Sequence, residues 1–145
     1  MSKMKLFSKK EPSLFSRDVA CAVIRKEGKI LITRRRQGSH LGGLWEFPGG
    51  KRLGGESLGA CLEREIWEEL EIRVRPGRFL GRIDHAYSEK KVSLYFYECR
   101  LLSGTPWPKG SIELAWVRPF QFRQYAFPPA NERVVGFLTR LPLGD

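Results

Sequence analysis

Three glutamates on one short helix constrain this chain more than any other feature. Gly54 and Gly55 break the preceding strand and Ser57 is a capping residue, while Leu58 to Leu70 carries neither proline nor a β-branched run, so a helix is predicted there. At ~100° per residue, Leu58, Cys61 and Leu62 make an apolar stripe that Ile66 and Leu70 continue along one flank. Glu65 and Glu69 fall inside that stripe and Glu68 on its other edge, so none of the three reads as part of a solvated face. The 65/69 and 65/68 pairs are one turn apart, and like charges so placed cost roughly 0.2–0.5 kcal/mol each even in water. Partial burial costs more. Arg64 is the only basic residue on this stretch, and one guanidinium neutralises or orients one carboxylate. A hard divalent cation held by oxygen ligands, Mg²⁺ or Mn²⁺, accounts for the others.

The residues ahead of the helix point the same way. Phe47-Pro48-Gly49-Gly50-Lys51 lets backbone come close to a ligand, and Gly49 is placed to offer a carbonyl to the same metal. A strand, a glycine turn and a carboxylate-rich helix together describe a metal site facing a phosphate. Residues 50–72 resemble the Nudix hydrolase box, G-x5-E-x7-R-E-U-x-E-E-x-G-U with U aliphatic. Gly50, Glu56, Arg64, Glu65, Ile66, Glu68, Glu69 and Ile72 match it, and Glu71 stands where the family has its last glycine. That glycine often leaves the helix with positive φ, so the backbone at Glu71 is the local question the mismatch raises.

The resemblance implies roles position by position. Glu65, Glu68 and Glu69 would ligate or serve the metal with the Gly49 carbonyl, and Arg64 would orient a carboxylate by a salt bridge. Glu56 would hold the loop to the helix and touch the metal shell. Water, deprotonated by a metal or by a glutamate such as Glu65, would attack a phosphorus of a nucleoside diphosphate linked to a further group.

Three stretches outside or overlapping the box are similar to the MutT branch, which cleanses the nucleotide pool of oxidised guanine and so serves DNA repair: Ile32-Thr33-Arg34-Arg35, Trp45 to Lys51, and Phe127-Pro128-Pro129-Ala130-Asn131-Glu132. This implies hydrolysis of 8-oxo-dGTP to 8-oxo-dGMP and pyrophosphate, with Asn131 hydrogen-bonding the oxidised base. An amide offers a donor and an acceptor, matching O6 and the N7–H that oxidation creates, and a wrong base would leave buried groups unpaired. Other candidates are Arg35 as a phosphate ligand (Arg34 or Arg36 compete for that role), Lys51 at a phosphate, and Glu46 beside the substrate. Tyr87 and Phe127 would wall the base, His40 would line the pocket, and Glu113 would supply a further carboxylate, although its spacing to Trp116 departs from the MutT pattern. The box alone is also compatible with CTP or another nucleotide, ADP-ribose or a nucleotide sugar. A different class, a non-catalytic Nudix-fold protein binding nucleic acid, would draw on the net charge of +10. Against it stand the retained glutamates and the lack of a recognisable RNA-binding pattern.

At 145 residues the chain has the length of one domain, expected over 18–145 behind a flexible basic tail at 1–17 that carries Lys3, Lys5, Lys9 and Lys10. Cys21, Cys61 and Cys99 are odd in number and lie in apolar patterns, so buried free thiols in a reducing compartment are expected. The first 17 positions lack the apolar run of a secretory signal, and no stretch approaches membrane-spanning length. The expectation is a cytoplasmic enzyme whose partner is its nucleotide, with no membrane and no need of nucleic acid; nothing bears on oligomeric state. Strands are predicted over 19–25 and 30–34 (a hairpin), 44–47, 79–87 and 92–100 (a second hairpin around Ser88-Glu89-Lys90), and 114–117, with a closing helix over 131–141. The fold class is α+β. A mixed sheet lies between the two helices, and the α/β/α sandwich itself is what the family resemblance implies.

Overall fold

A computed structural model describes residues 16–87, 90–111 and 113–140. The expected tail up to residue 15, the hairpin tip at Ser88-Glu89 and the last residue of the expected closing helix fall outside these. Among the described residues the order is β1 (Ser16–Lys26), β2 (Lys29–Arg34), β3 (Trp45–Glu46), β4 (Gly49–Lys51), α1 (Leu58–Leu70), β5 (Arg73–Tyr87), β6 (Lys90–Ser103), β7 (Glu113–Val117) and α2 (Glu132–Arg140). Tight 3₁₀ turns at Pro119–Gln124 and Pro129–Asn131 precede α2.

All strands join one mixed sheet. β1 runs parallel to β6 from Ser16↔Lys91 to Arg25↔Arg100, whereas the other pairings are antiparallel. The second edge of β1 is shared: β4 takes its first half (Val19↔Lys51, Cys21↔Gly49) and β2 its last residues (Arg25↔Ile30). The sheet therefore forks beside β1.

Alternation along β1 feeds two cores. Cys21 and Val23 point to one face, with Ile30, Ile32, Phe96 and the α2 residues Val134, Phe137 and Leu138. Ala20, Ala22 and Ile24 point to the other, against Cys61, Leu62, Ile66 and Leu70 of α1. The two alanines let α1 lie close to the sheet, and each fully buried Leu or Ile of the helix contributes about 1.5–3 kcal/mol. With one helix on each face, the expected sandwich is the observed architecture. Among the described residues no helix is long and apolar enough to cross a membrane.

α1 begins and ends by identifiable chemistry. The Ser57 hydroxyl accepts from the Ala60 N–H at 3.1 Å. At the other end Glu71 adopts the left-handed conformation (φ 57°, ψ 38°) and its N–H donates to the Trp67 carbonyl. A glutamate thus takes the backbone shape expected of the missing glycine. Trp107 and Lys109 donate their N–H groups to the Leu70 and Glu69 carbonyls, which closes the helix.

Several boundaries differ from expectation. β1 starts at Ser16, so residues 16 and 17, expected in the tail, pair with Lys91 and Val92 in the sheet, and β6 extends over Lys90–Ser103. β4 is a separate strand because its Gly-Gly-Lys sequence carries no strand propensity and pairs only through tertiary placement. β5 starts at Arg73, passing through Pro76-Gly77 with shifted register, which an edge strand tolerates. Helical geometry around Asn131 is 3₁₀ up to that residue, and α2 proper starts at Glu132.

Candidate active site

The fork beside β1 opens a cleft of about 460 Å³. Its walls come from the turn after β2 (Arg35, His40), the end of β3 (Glu46), β4, α1 (Glu65, Glu69), the β5–β6 hairpin (Tyr87, Lys90) and the approach to α2 (Asn131). Chain segments distant in sequence converge there because β1, at the floor through Val19 and Cys21, touches most of them.

Gly49 and Gly50 are wedged between β1 and α1. A Cβ at Gly49 (φ 156°) would collide with the Ala20 carbonyl, and one at Gly50 with the Glu65 carboxylate. Only glycine permits that approach.

Arg64 binds more than the single carboxylate expected of it. Its Nε and Nη2 grip Glu56 at 2.6 and 3.0 Å, while Nη1 reaches Glu65 at 3.0 Å and Glu68 at 3.2 Å. Nη2 also donates to the Lys51 carbonyl at 3.1 Å, tying the glycine strand to the helix. Glu56 further accepts the Leu53 N–H. The Arg64 hydrogen bonds, with that of Leu53, hold the Glu56 carboxyl down at about 2, and the same ion pairs raise the guanidinium of Arg64 beyond its ordinary value.

Glu69 is left out of this network. It has no ion pair among the described residues, and burial, with the charges of Glu46 and Glu65, pushes its carboxyl up to about 8 against a partly offsetting hydrogen bond from the Gly49 backbone. Glu46 is raised by burial too, less so because Arg35 Nη1 lies 3.2 Å from it. Burial followed by the charges of Glu46 and Glu69 also raises the Cys21 thiol, which is buried and free as expected.

Glu68 departs from the reading of the helix. Its side chain is 56% exposed, because the buried line of α1 runs through Cys61, Leu62, Ile66 and Leu70 and position 68, two residues from both Ile66 and Leu70, lies about 160° round the helix from each. Among the described residues no three carboxylate, imidazole or thiol groups are already gathered around one point for a metal, since Arg64 draws Glu65 and Glu68 to itself. The donor set nevertheless fits a hard cation. An uncompensated carboxylate at Glu69 faces two others, and its charged form is what a divalent ion would stabilise.

Of the three consecutive arginines, Arg35 alone lines the cleft, with Nε donating to the His40 carbonyl at 2.6 Å. Arg34 turns away to Gly43 and Glu113, and Arg36 donates to the Lys109 carbonyl. Glu113 is therefore held by Arg34 outside the cleft walls. Phe127 does not line the cleft either; it stacks on Phe47 at 5.4 Å, supporting the floor from behind, because the prolines after it turn the chain into the wall. Tyr87 does line it, edge-on to His40 at 4.7 Å and to His85 at 4.5 Å. Lys51 and Asn131 both line the cleft. Asn131 is only 6% exposed, yet among the described residues its side-chain amide has no hydrogen-bond partner, so it is not acting as a helix cap.

Sequence reasoning missed Lys90, Leu41 and the β6 residues Val92 and Leu94, all of which line the cleft. Lys90 read as a turn residue, and only the Tyr87↔Lys90 register brings it to the rim. The apolar members belong to strand alternation, which signals a buried face without saying that it borders a cavity.

Comparison with known proteins agrees with this geometry. Residues 19–136 match the family model of the NUDIX domain. The chain is 32% identical over 124 residues to an 8-oxo-dGTP diphosphatase of Escherichia coli K12, covering 85% of this chain and 96% of the relative. It is 33% identical over 114 residues to a CTP pyrophosphohydrolase of the same organism, covering 79% and 84%. The crystal structure of a MutT protein from Methanosarcina mazei Go1 superposes with a TM-score of 0.73 at 31% identity, covering 83% of this chain and 89% of that one.

Proposed function

Because this chain belongs to the Nudix family and is a hydrolase, we propose that it is a nucleoside triphosphate pyrophosphohydrolase acting on 8-oxo-dGTP, with 8-oxo-dGMP and pyrophosphate as products. Nudix hydrolases generally use a divalent metal, and here Mg²⁺ or Mn²⁺ is proposed. Resemblance does not select the base, since the guanine-directed and cytidine-directed relatives are equally similar. The unpaired amide of Asn131, nearly buried in a cleft that also holds Arg35, Lys51, Glu65 and Glu69, carries the choice. An amide left without a protein partner gains a donor–acceptor pair with an oxidised purine edge.

Glu69, Glu65 and the Gly49 carbonyl would hold the metal, with Glu68 joining from the helix surface and Glu56 acting through Arg64. The bound cation supplies charge stabilisation at the phosphates and a more acidic water. Arg64 Nη1, 3.0 Å from Glu65, fixes that carboxylate against Gly50, and we assign proton abstraction to Glu65, since the desolvated Glu69 is where a cation is worth most. Arg35 and Lys51, with Lys90 at the rim, would meet the phosphate charge, while Glu46 would hold Arg35 in position. Tyr87 and His40 would flank the base. We place the activity in cytoplasmic nucleotide-pool sanitation.

Steady-state kcat/KM on 8-oxo-dGTP, dGTP, CTP, ADP-ribose and a nucleotide sugar tests the reading. The oxidised nucleotide should be preferred over dGTP, and Asn131→Ala should erode that preference about tenfold or more while sparing dGTP. Equal rates on dGTP and 8-oxo-dGTP would refute it, and a preference for CTP would move the chain to the cytidine-directed group. Binding of an oligonucleotide without hydrolysis of any of these would assign it to the non-catalytic class.

A further inference from the structure

A second charged cavity lies beyond the cleft, four residues past Cys21 along β1 and four to six past Leu94 along β6, which at ~3.3 Å per residue is roughly 13–20 Å away. Its volume is about 300 Å³, and its walls include Arg25, Arg75, Arg100, Pro76, Gly77 and Glu98. The sheet register builds it. Arg25 stands opposite Arg100 in the parallel β1–β6 pair, and Arg100 opposite Arg75 in the antiparallel β6–β5 pair. Three arginines thus stand in a row on adjacent strands ~4.8 Å apart, an arrangement of directly opposed like charges that destabilises a sheet.

A fourth arginine is aimed at the same place by a bulge. Between Pro76↔Cys99 and Phe79↔Tyr97 the register shifts, so Gly77 and Arg78 together oppose the single residue Glu98. Arg78 Nη2 lies 3.8 Å from Glu98 Oε2, and Arg25 Nε lies 3.4 Å from the same oxygen. Glu98 is the one carboxylate among the described residues of the wall, so four guanidiniums share one negative charge. Among the described residues Arg75 and Arg100 have neither an ion pair nor a side-chain hydrogen bond. Arg75, Arg78 and Arg100 are exposed and Arg25 is half-buried. Here the strand pairing holds them together around a concavity.

We propose that this arginine row is a phosphate-binding site separate from the catalytic cleft. Guanidinium forks match phosphate oxygens in charge and geometry, and an occupying phosphate would relieve the repulsion between neighbouring strands. The ligand chemistry is a phosphate group with two sources, free pyrophosphate or the phosphodiester backbone of a single-stranded nucleic acid.

The test is amide NMR titration of the ¹⁵N-labelled chain in EDTA, once with sodium pyrophosphate and once with a short oligothymidylate. Resonances of residues 25, 75–78 and 98–100 should shift, and the tighter of the two probes identifies the source. Arg75→Gln/Arg100→Gln should weaken that binding at least about tenfold while leaving kcat/KM for the nucleotide substrate unchanged, which also shows that the variant folds. Glu98→Gln should tighten binding severalfold, because it frees Arg25 and Arg78. No shift at these residues with either probe, or equal binding by wild type, the double arginine variant and Glu98→Gln, overturns the proposal.

Discussion

Replacing Glu69 by glutamine should make the metal-free protein more stable and the enzyme inactive. Glu69 pairs with no cation among the described residues, and burial with the charges of Glu46 and Glu65 raises its carboxyl from 4.5 to about 8. At about 1.4 kcal/mol per tenfold in proton affinity, that rise caps the cost of ionising it in the folded state at roughly 5 kcal/mol. Solvent on the open side of the cleft screens the interaction, leaving about 2–3 kcal/mol. The sign follows from linkage. Between pH 4.5 and about 8 the folded chain binds a proton at Glu69 that the unfolded chain has released, so this contribution to stability falls as pH rises and is gone above about 8. Glutamine keeps the shape and removes the titration.

Denaturant unfolding in EDTA at a series of pH values measures the effect. Groups that do not face Glu69 contribute alike to both proteins, so the difference between wild type and Glu69→Gln reports this carboxylate together with its coupling to Glu46, Glu65 and Cys21. It should grow from near zero at about pH 4.5 to about 2–3 kcal/mol in favour of the variant above about pH 8. Added Mg²⁺ should restore wild-type stability at high pH and do little for the variant, since a ligand stabilises only the state that binds it. Turnover with Mg²⁺ should fall by about 10² or more. Parallel pH profiles for the two proteins, or a variant less stable at high pH, would refute the account of Glu69 as an uncompensated buried charge.

Glu71→Gly should stabilise the fold by about 0.5–1 kcal/mol, because the left-handed backbone at this position strains any residue with a Cβ and the ion pair with Lys109 is exposed; a rise of a few degrees in Tm with unchanged kcat is the expected readout. Arg64→Lys should lower kcat at least about tenfold, since an ammonium cannot span Glu56, Glu65, Glu68 and the Lys51 carbonyl at once. Glu56→Gln should lose stability at neutral pH, where the depressed carboxyl is ionised and paired. Its deficit relative to wild type should shrink as pH falls from 4.5 through about 2, a trend that acid titration by circular dichroism would show.

How much of this was legible in the chain depends on whether the deciding contact is local. The conflict between charge and helical period at Glu65 and Glu69 lies within one helix, so periodicity exposed it. The same reasoning erred on Glu68, because the buried face of α1 is set by packing against β1 and β4, and an apolar flank in the sequence does not say where that face is centred. Arg34, Arg35 and Arg36 show the limit clearly: alternation sends Arg34 and Arg36 one way and Arg35 the other, yet only the placement of Glu46, Glu113 and Lys109 reveals which side is the cleft. Asn131 was legible through a family resemblance alone, since a lone asparagine before a helix is ordinarily a cap. Lys90 gave no signal because only the β5–β6 register brings it to the rim, and the row formed by Arg25, Arg75 and Arg100 gave none because it needs that register together with the parallel β1–β6 pairing, which joins segments some seventy-five residues apart. The two charge clusters obey one rule. Each gathers like charges, at the carboxylate end by docking α1, which already carries Glu65 and Glu69, beside Glu46, and at the arginine end through strand register. Because that convergence costs stability in both places, a ligand of opposite charge should raise stability at both, and the metal at Glu69 and phosphate at Arg100 should do so independently and additively.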